Sequence, residues 1–236
     1  MSIFPGCRLV LLIYRRAYGI LCPLNHHRFF SRMLHTFDEW ARALVSAGHI
    51  LYAQGMVPAT SGNFSARVGP DCFAITVSGR HKGQLTADDI MEIDIEGRSR
   101  DGRRPSAETG LHLHLYRRFP GIYVVLHHHS LYATLLSQMA SDRLVFADYE
   151  LLKAFPGIDT HATHLEVPVF ANDQDIPRLA KKVEAYMEEH PPVHGYLIAG
   201  HGLYTWGDSV ETALKHVEAF EFLFRCELMK RGVRSP

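Results

Sequence analysis

Residues Ile122–Ser130 read IYVVLHHHS, a run of β-branched and aliphatic residues that ends in three consecutive histidines. The apolar part of this stretch is typical of a buried β-strand. Residues two apart on a strand share a face, so His127 and His129 should project together while His128 points to the opposite side. The stretch therefore predicts a strand that carries two convergent imidazoles at its end.

Segments with strand-like and helix-like patterns continue on both sides of this strand. Apolar residues recur at helical spacing from Thr36 to Gly55, which predicts a first helix. Four more helices are predicted in PSAETGLHLHLYRRF (Ser106 as N-cap, Glu108 in the first turn), SLYATLLSQM, DIPRLAKKVEAYMEEH and SVETALKHVEAFEFLFRCELMKRG. Further strands are predicted in NFSARV, FAITVS, MEIDIEG and LEVPVF, and two more surround a tight turn in GYLIAGHGLYTWG. This continuous mixture predicts a single α/β domain, whose central, mainly antiparallel or mixed sheet is flanked by helices.

The first 32 residues differ from the rest of the chain. They contain several arginines and no acidic residue, and their apolar run Leu9–Ile13 is too short to span a bilayer. We expect residues 1–32 to be an unstructured or spurious extension, with a transit peptide as the alternative reading. The native domain is then expected over residues 33–236.

The overall composition narrows the class of protein. The chain has 236 residues, of which 47% are hydrophobic, and 25 basic residues balance 25 acidic ones. Without a basic patch or an acidic tail, nucleic acid or an anionic membrane is not expected as the main partner. The four cysteines form no C-x-x-C pair, which argues against a disulfide framework or a zinc ribbon and favours a reducing, cytoplasmic location.

Two histidines on one face of a strand can supply two ligands of a divalent transition-metal site, which needs a third ligand and sometimes a fourth. The alternative is that the end of a strand near the surface simply tolerates polar residues. His201 is the best candidate for a third ligand, because Gly200 and Gly202 on either side let the backbone turn sharply around it. A turn histidine that bonds only to backbone remains the alternative for His201.

Other histidines are weaker candidates for ligands. His112 and His114 lie two apart on a predicted helix, where side chains diverge, so we expect them at the surface or at an interface. His161 and His164 lie in an irregular Thr-rich segment. No Gly-rich nucleotide-binding motif occurs in the sequence.

Two carboxylates flank the paired histidines along the chain. Glu108 lies before His127 and Glu150 lies after His129. A Lewis-acid site that polarises a carbonyl or hydroxyl needs such acid–base partners. Either residue could instead be an ordinary surface carboxylate.

Three short segments pair hydroxyl residues with glycine or another small residue at predicted element boundaries. They are Thr60–Asn63, Ser78-Gly79 and Ser106-Ala107. Exposed backbone N–H groups and hydroxyls at such turns can bind a phosphate, although each turn alone is more often only a turn or a cap. Arg80, His81 and Lys82 add positive charge beside the second turn, so a phosphorylated small substrate is expected.

The motifs SGN, SGRHKG, PSAE, HHHS and GHG, in this order between Met33 and Gly232, resemble the class II aldolase/epimerase family of zinc enzymes. Longer segments, among them YELLKAFPGIDTH, VPVFANDQDI and GHGLYTWG, are similar to a dehydratase branch of that family. The resemblance implies a class II aldolase-like fold and zinc-dependent dehydration of a phosphorylated sugar. A sugar-phosphate aldolase or 4-epimerase is the alternative activity, and a non-catalytic adaptor such as the adducin head domain is the alternative class.

The resemblance also implies roles for individual residues. One Zn²⁺ per subunit would be held by His127, His129 and His201. Glu150 would be the catalytic acid/base, and Glu108 matches the carboxylate that the aldolases use. The residues that match the phosphate-binding turns are Asn63, Ser78, Gly79, Ser106 and Ala107. His128 stands where the family usually has threonine, and the family is typically a homotetramer with active sites at subunit interfaces.

Overall fold

The computed structural model describes residues 35–190 and 192–232, so the leader predicted over residues 1–32 lies outside the described residues. Within those ranges the chain forms eight β-strands and five α-helices. The strands are β1 (Asn63–Gly69), β2 (Cys72–Thr76), β3 (Ile90–Asp94), β4 (Val124–His128), β5 (Arg143–Ala147), β6 (His164–Phe170), β7 (Gly195–Ile198) and β8 (Gly202–Gly207). The helices are α1 (Phe37–Ala53), α2 (Thr109–Arg118), α3 (Leu131–Met139), α4 (Ile176–Glu189) and α5 (Val210–Lys230).

All eight strands join one sheet in the order β3-β2-β1-β4-β8-β7-β6-β5. Only the β6–β7 pair is parallel among the described strands, and the other neighbours are antiparallel. This confirms the prediction of a mainly antiparallel, mixed sheet. None of the described helices is long and apolar enough to cross a lipid bilayer.

Strand alternation in β4 separates two hydrophobic layers. Val125 packs with residues of α2 and α4 on one face of the sheet. Val124 and Leu126 pack with α1 and the start of α5 on the other face. Since side chains alternate along a strand, His127 continues the first face and His128 the second. The central strand thus divides its own histidines between the two layers.

Four helices begin at side-chain caps that the sequence contains. Thr36 caps α1, Ser130 caps α3, Asp175 caps α4 and Ser209 caps α5, and each side chain accepts a backbone N–H of the first turn. Such caps satisfy amide groups that the helix leaves without an internal partner. They explain why these helices start where the sequence predicts.

The start of α2 differs from the prediction. Ser106 is not its N-cap, because the helix begins at Thr109 and Glu108 occupies the capping position without a capping side-chain bond. Ser106 instead forms the turn that precedes the helix, where its Oγ accepts from the Glu108 amide at 3.3 Å and its carbonyl accepts from Thr109 at 3.2 Å. The Glu108 carboxylate is therefore available to the interior of the protein.

One strand was missing from the prediction. The edge strand β5 pairs with β6 and alternates regularly between exposed and buried positions. Leu144 and Phe146 are its buried residues. This period-two pattern is the usual signal of a half-buried strand, but it covers only five residues next to a polar turn.

Candidate metal centre

The paired histidines lie at the end of β4, against the layer that contains α2. His127 is fully buried on the strand, and its ring stacks on Tyr204 of β8 with centroids 4.0 Å apart. His129 follows the strand, and its backbone amide donates to the Met56 carbonyl at 3.0 Å. This contact fixes the direction in which the chain leaves β4, so both imidazoles face the same space.

His201 reaches the same space from the turn between β7 and β8. Gly200 has a φ of +63°, a left-handed conformation that favours glycine. A Cβ on Gly202 would lie 2.0 Å from the His128 carbonyl oxygen, so only glycine lets β8 approach β4 this closely. The two glycines therefore place His201 beside the histidines of β4, as the sequence predicts.

Four nitrogen and oxygen ligand atoms converge at this point. The Nε2 atom of His127 lies 2.8 Å from that of His129 and 3.3 Å from that of His201. Glu108 places Oε2 3.2 Å from His127 Nε2 and Oε1 3.1 Å from His201 Nε2. The ligand atoms of all four residues lie within 4.8 Å of one another.

The chemistry of these donors fits a divalent metal ion. His127 Nδ1 lies 2.9 Å from the Leu203 carbonyl oxygen, which can only accept, so Nδ1 carries the proton and Nε2 presents a lone pair. Burial lowers the pKa of His127 far below its usual value and that of His129 to about 4, so both are neutral at pH 7. Neutral imidazole is the form that binds metal. In a tetrahedral site with bonds of about 2.0–2.1 Å, neighbouring ligand atoms lie about 3.3 Å apart, close to the observed spacing.

Glu108 is ionised and held by several donors. Burial raises its pKa, whereas any positive charge on the His127 and His201 rings, together with the hydrogen bonds from His201 and the Asn63 amide, lowers it below the ordinary value. Asn63 Nδ2 and the Tyr204 hydroxyl each donate to Oε2 at 2.8 Å. These bonds orient the carboxylate toward the histidines.

A cavity of about 350 Å³ opens beside Glu108, His129 and His201. It lies within the usual range for small-molecule sites. All five residues that match the phosphate-binding turns line it: Asn63, Ser78, Gly79, Ser106 and Ala107. A further wall comes from the segment between β6 and α4, including Asn172 and Gln174.

Residues 42–228 match the family of the class II aldolase and adducin N-terminal domain. The chain belongs to this family. A methylthioribulose-1-phosphate dehydratase of Methylococcus capsulatus is 59% identical over 198 residues, which cover 84% of this chain and 97% of that protein. A protein of the same name from Pseudomonas fluorescens is 52% identical over 202 residues, covering 85% and 97% of the two chains.

Solved structures of the class II aldolase family confirm the fold. The l-fuculose-1-phosphate aldolase of Thermus thermophilus is 30% identical with a TM-score of 0.67, and the match covers 83% of this chain and 97% of that one. Another L-fuculose 1-phosphate aldolase is 24% identical with a TM-score of 0.71, covering 87% and 92%. At 24% identity, the similarity to this second aldolase supports a shared fold and no shared activity.

The middle histidine of the triplet faces away from the cluster, as strand alternation predicts. His128 is fully buried on the opposite face of the sheet, and its Nε2 lies 3.8 Å from Glu221 Oε1 of α5. Ser130 Oγ donates to the same carboxylate oxygen at 2.5 Å. His128 and Glu221 thus form a polar pair behind the candidate metal centre.

Glu150, which the resemblance implies as the catalytic acid/base, lies at the surface of the single chain. It begins the short 3₁₀ helix Glu150–Ala154, and its side chain is 72% exposed and bonded to Lys153 at 2.6 Å. This bond is the main influence on its pKa, which lies below the usual value. A general acid works best when it is poorly solvated and its pKa is raised, and the single chain does not give Glu150 that environment. It does not line the cavity.

His112 is expected at the surface or at an interface, but it is fully buried inside the single chain. Its Nε2 bonds to Asn63 Oδ1 and its Nδ1 lies 2.7 Å from Ser65 Oγ, so it supports the amide that orients Glu108. His114, by contrast, is partly buried and pairs with Glu184. The buried positions Thr109, His112 and Tyr116 are spaced at three and four, and that helical stripe was the signal that could have identified His112.

Tyr204 and the wall formed by Asn172 and Gln174 were also absent from the predicted site. Tyr204 lies two residues after the motif GHG. It sits beside His127 because β8 pairs with β4 in a register that places these two residues opposite each other, and the sequence does not give that register. The Asn-x-Gln wall lies in a polar run between a strand and a helix, which is a weak signal by itself. His161 and His164 are not among the residues that line the cavity.

Proposed function

We propose that this chain dehydrates 5-methylthioribulose 1-phosphate to 2,3-diketo-5-methylthiopentyl 1-phosphate and water. The observation that carries the proposal is the identity of 52–59% to proteins named for this activity, over nearly their whole length. The complete cluster of three histidines and one carboxylate beside a cavity supports an enzyme rather than an adaptor. The reaction would serve methionine salvage in the cytoplasm, which the free thiols of Cys72 and Cys226 suit.

The metal that fits the donor set best is Zn²⁺, one per chain. His127, His129 and His201 would hold it, and neutral imidazoles at this spacing are ligands that zinc accepts readily. When bound, the ion supplies Lewis-acid polarisation of the substrate's C2 carbonyl oxygen. Glu108 stands close enough to act as a further ligand or as a base.

The chain's own groups then account for the proton movements. Loss of water removes the proton from C3 and the hydroxyl from C4, and the resulting enol becomes the diketone. Glu108 is the ionised group nearest the histidines and would accept the C3 proton. Glu150 would donate a proton to the departing C4 hydroxyl. The turns at Ser78 and Ser106 would hold the phosphate and orient the sugar.

Glu150 can take this role only if another copy of the chain brings it to the site. We therefore infer that the sites lie between subunits, and the family resemblance favours a homotetramer as the assembly. Glu150 is exposed in the single chain. Exposed apolar residues also occur on the neighbouring elements α3, β5 and α5: Leu131, Met139, Val145, Phe222 and Met229. Exposed apolar side chains of this kind are compatible with a surface that another copy of the chain covers.

The decisive assay separates the dehydratase from its sibling activities. Metal-quantified protein is incubated with 5-methylthioribulose 1-phosphate and, separately, with fuculose 1-phosphate, and both diketone and retro-aldol products are followed. Diketone from the first substrate alone supports the proposal. Retro-aldol cleavage of fuculose 1-phosphate without diketone from the first would assign the chain to the aldolases.

The role of Glu150 has its own test. Glu150→Gln removes the proton donor and should lower kcat by at least about 100-fold, the usual effect of losing a general acid. Zinc content and oligomeric state should stay at the wild-type level, which sizing and metal analysis would measure. Near-normal turnover with intact zinc would exclude Glu150 from the mechanism.

A further inference from the structure

The side chain of Lys82 is buried at the edge of the cavity. It is 1% exposed and lies at the start of the 3₁₀ helix Lys82–Gln84. Its Nζ donates to the carbonyl oxygens of Thr60 at 3.0 Å and Arg80 at 2.7 Å. An ammonium group has three N–H donors, so one remains after these two bonds. Lys82 is among the residues that line the cavity.

No carboxylate neutralises this ammonium group within the part of the chain that the structure describes. Both of its partners are neutral carbonyls. Burial lowers its pKa to about 8, and no neighbouring charge contributes to that shift. A buried cation without a counter-ion is costly, so it is usually balanced by a partner or a ligand.

The other charges near the cavity already have partners. Glu108 is bound within the histidine cluster. The carboxylate of Asp173, which also lines the cavity, bonds to Arg178 at 2.5 Å and 2.7 Å. Among the described lining residues, Lys82 is the only lysine or arginine.

The two basic residues that precede Lys82 cannot replace it. Arg80 has a side chain that is 57% exposed and pairs with Asp89 at 3.1 Å. The His81 ring packs edge-on against Tyr52 with centroids 4.7 Å apart. Neither residue lines the cavity. The positive charge that the motif SGRHKG brings to the site is thus the charge of Lys82.

The position of Lys82 is rigid. A Cβ on Gly48 of α1 would lie 2.9 Å from the Lys82 carbonyl oxygen and 2.8 Å from Leu85 Cδ1, so the helix packs directly on this turn. The two carbonyls that Lys82 binds belong to the turns beginning at Thr60 and Ser78. Its ammonium therefore stands between two of the turns that line the cavity.

We propose that Lys82 is the cationic residue of the phosphate subsite and that its third N–H donates to a phosphate oxygen of the substrate. The inference deepens the proposed function, since it names the residue that recognises the phosphorylated end of that substrate. It assigns Lys82 a binding role and leaves the proton transfers to other residues. A phosphate oxygen at this position would also supply the counter-charge that the buried ammonium lacks.

The test compares zinc-loaded, full-length wild type with Lys82→Gln, using inorganic phosphate as the ligand in calorimetry. Gln removes the charge and keeps N–H donors, although its side chain is one bond shorter than that of lysine. Phosphate affinity should fall by about 10- to 100-fold, the usual range for losing one charge-assisted hydrogen bond. The matched control Arg80→Gln removes a neighbouring, exposed charge and should change the affinity by less than about twofold.

Kinetics separate binding from a merely structural effect. Lys82→Gln should raise KM for 5-methylthioribulose 1-phosphate by a similar factor while kcat changes by less than about threefold. Phosphate binding by Lys82→Gln as tight as that of the wild type, or none by the wild type, would overturn the proposal. Lys82-dependent phosphate binding in a protein that forms no diketone would leave the proposal standing and reject the proposed function.

A second measurement needs no variant and decides the matter if Lys82→Gln does not fold. Wild-type crystals grown with inorganic phosphate should show a phosphate oxygen about 3 Å from Lys82 Nζ, the distance of an N–H···O bond. Phosphate bound elsewhere in the cavity, out of reach of Lys82, would contradict the assignment.

Discussion

We predict that the buried carboxyl of Glu221 makes the stability of the folded protein depend on pH, by an amount that follows from how far burial shifts its pKa. This residue of α5 is 7% exposed, with Ser130 Oγ at 2.5 Å and His128 Nε2 at 3.8 Å from its Oε1. Burial raises its pKa from 4.5 to about 7, and the bond from Ser130 offsets only part of that rise. The folded protein therefore retains a proton on Glu221 that the unfolded chain has already lost.

The sign of the pH dependence follows from proton binding. Between pH 4.5 and about pH 7 the folded state binds one more proton at Glu221 than the unfolded state does, so the stability of the wild type falls as pH rises. The full pKa difference corresponds to about 3 kcal/mol. Glu221→Gln has no proton to lose, and it keeps an oxygen that accepts from Ser130.

Urea unfolding of both proteins across this pH range measures the effect. The stability of Glu221→Gln minus that of the wild type should rise by about 3 kcal/mol between pH 4.5 and pH 7 and then level off. Buried histidines away from Glu221 contribute equally to both proteins and cancel in the difference, and the pKa of His128, which burial lowers to about 3, lies below this pH range in the folded wild type. A constant difference, or one that falls with pH, would mean that Glu221 is ionised beside a protonated His128.

Two further substitutions probe the geometry of the site. Tyr204→Phe removes one donor to Glu108 and should weaken zinc binding by about 10- to 100-fold, as measured by chelator competition; unchanged affinity would contradict this supporting role. Gly202→Ala places a Cβ against the His128 carbonyl and should destabilise the fold by at least about 3 kcal/mol in urea unfolding. The matched control Gly121→Ala, with no heavy atom within 4 Å of the new Cβ, should cost less than about 1 kcal/mol, and equal losses would refute the close-approach argument.

Local pattern accounts for much of the fold and for the convergence of the histidines. Alternation along β4 correctly separates His127 from His128, because the period of a strand does not depend on distant contacts. The glycines beside His201 predict a sharp turn. In the structure, Gly202 is required for the close contact between β8 and β4. The short strand β5 carried the same kind of alternation over too few residues to be recognised.

The parts that sequence reasoning missed depend on long-range packing. Whether His112 is buried depends on α2 lying across the sheet, which places it against Asn63 and Ser65. The solvation of Glu150 depends on which surface covers its 3₁₀ helix, and a single chain leaves it exposed. The Lys82 ammonium enters the cavity because two turns distant in sequence meet around it.

The central claim is that His127, His129 and His201 together hold a divalent metal ion. Elemental analysis of purified protein after reconstitution with zinc tests it most directly, with wild type, His201→Ala and the exposed-histidine control His164→Ala measured side by side. We expect about one zinc per chain in the wild type and the control, and almost no zinc in His201→Ala. A wild type without bound zinc, or a His201→Ala variant that retains a full equivalent, would contradict it.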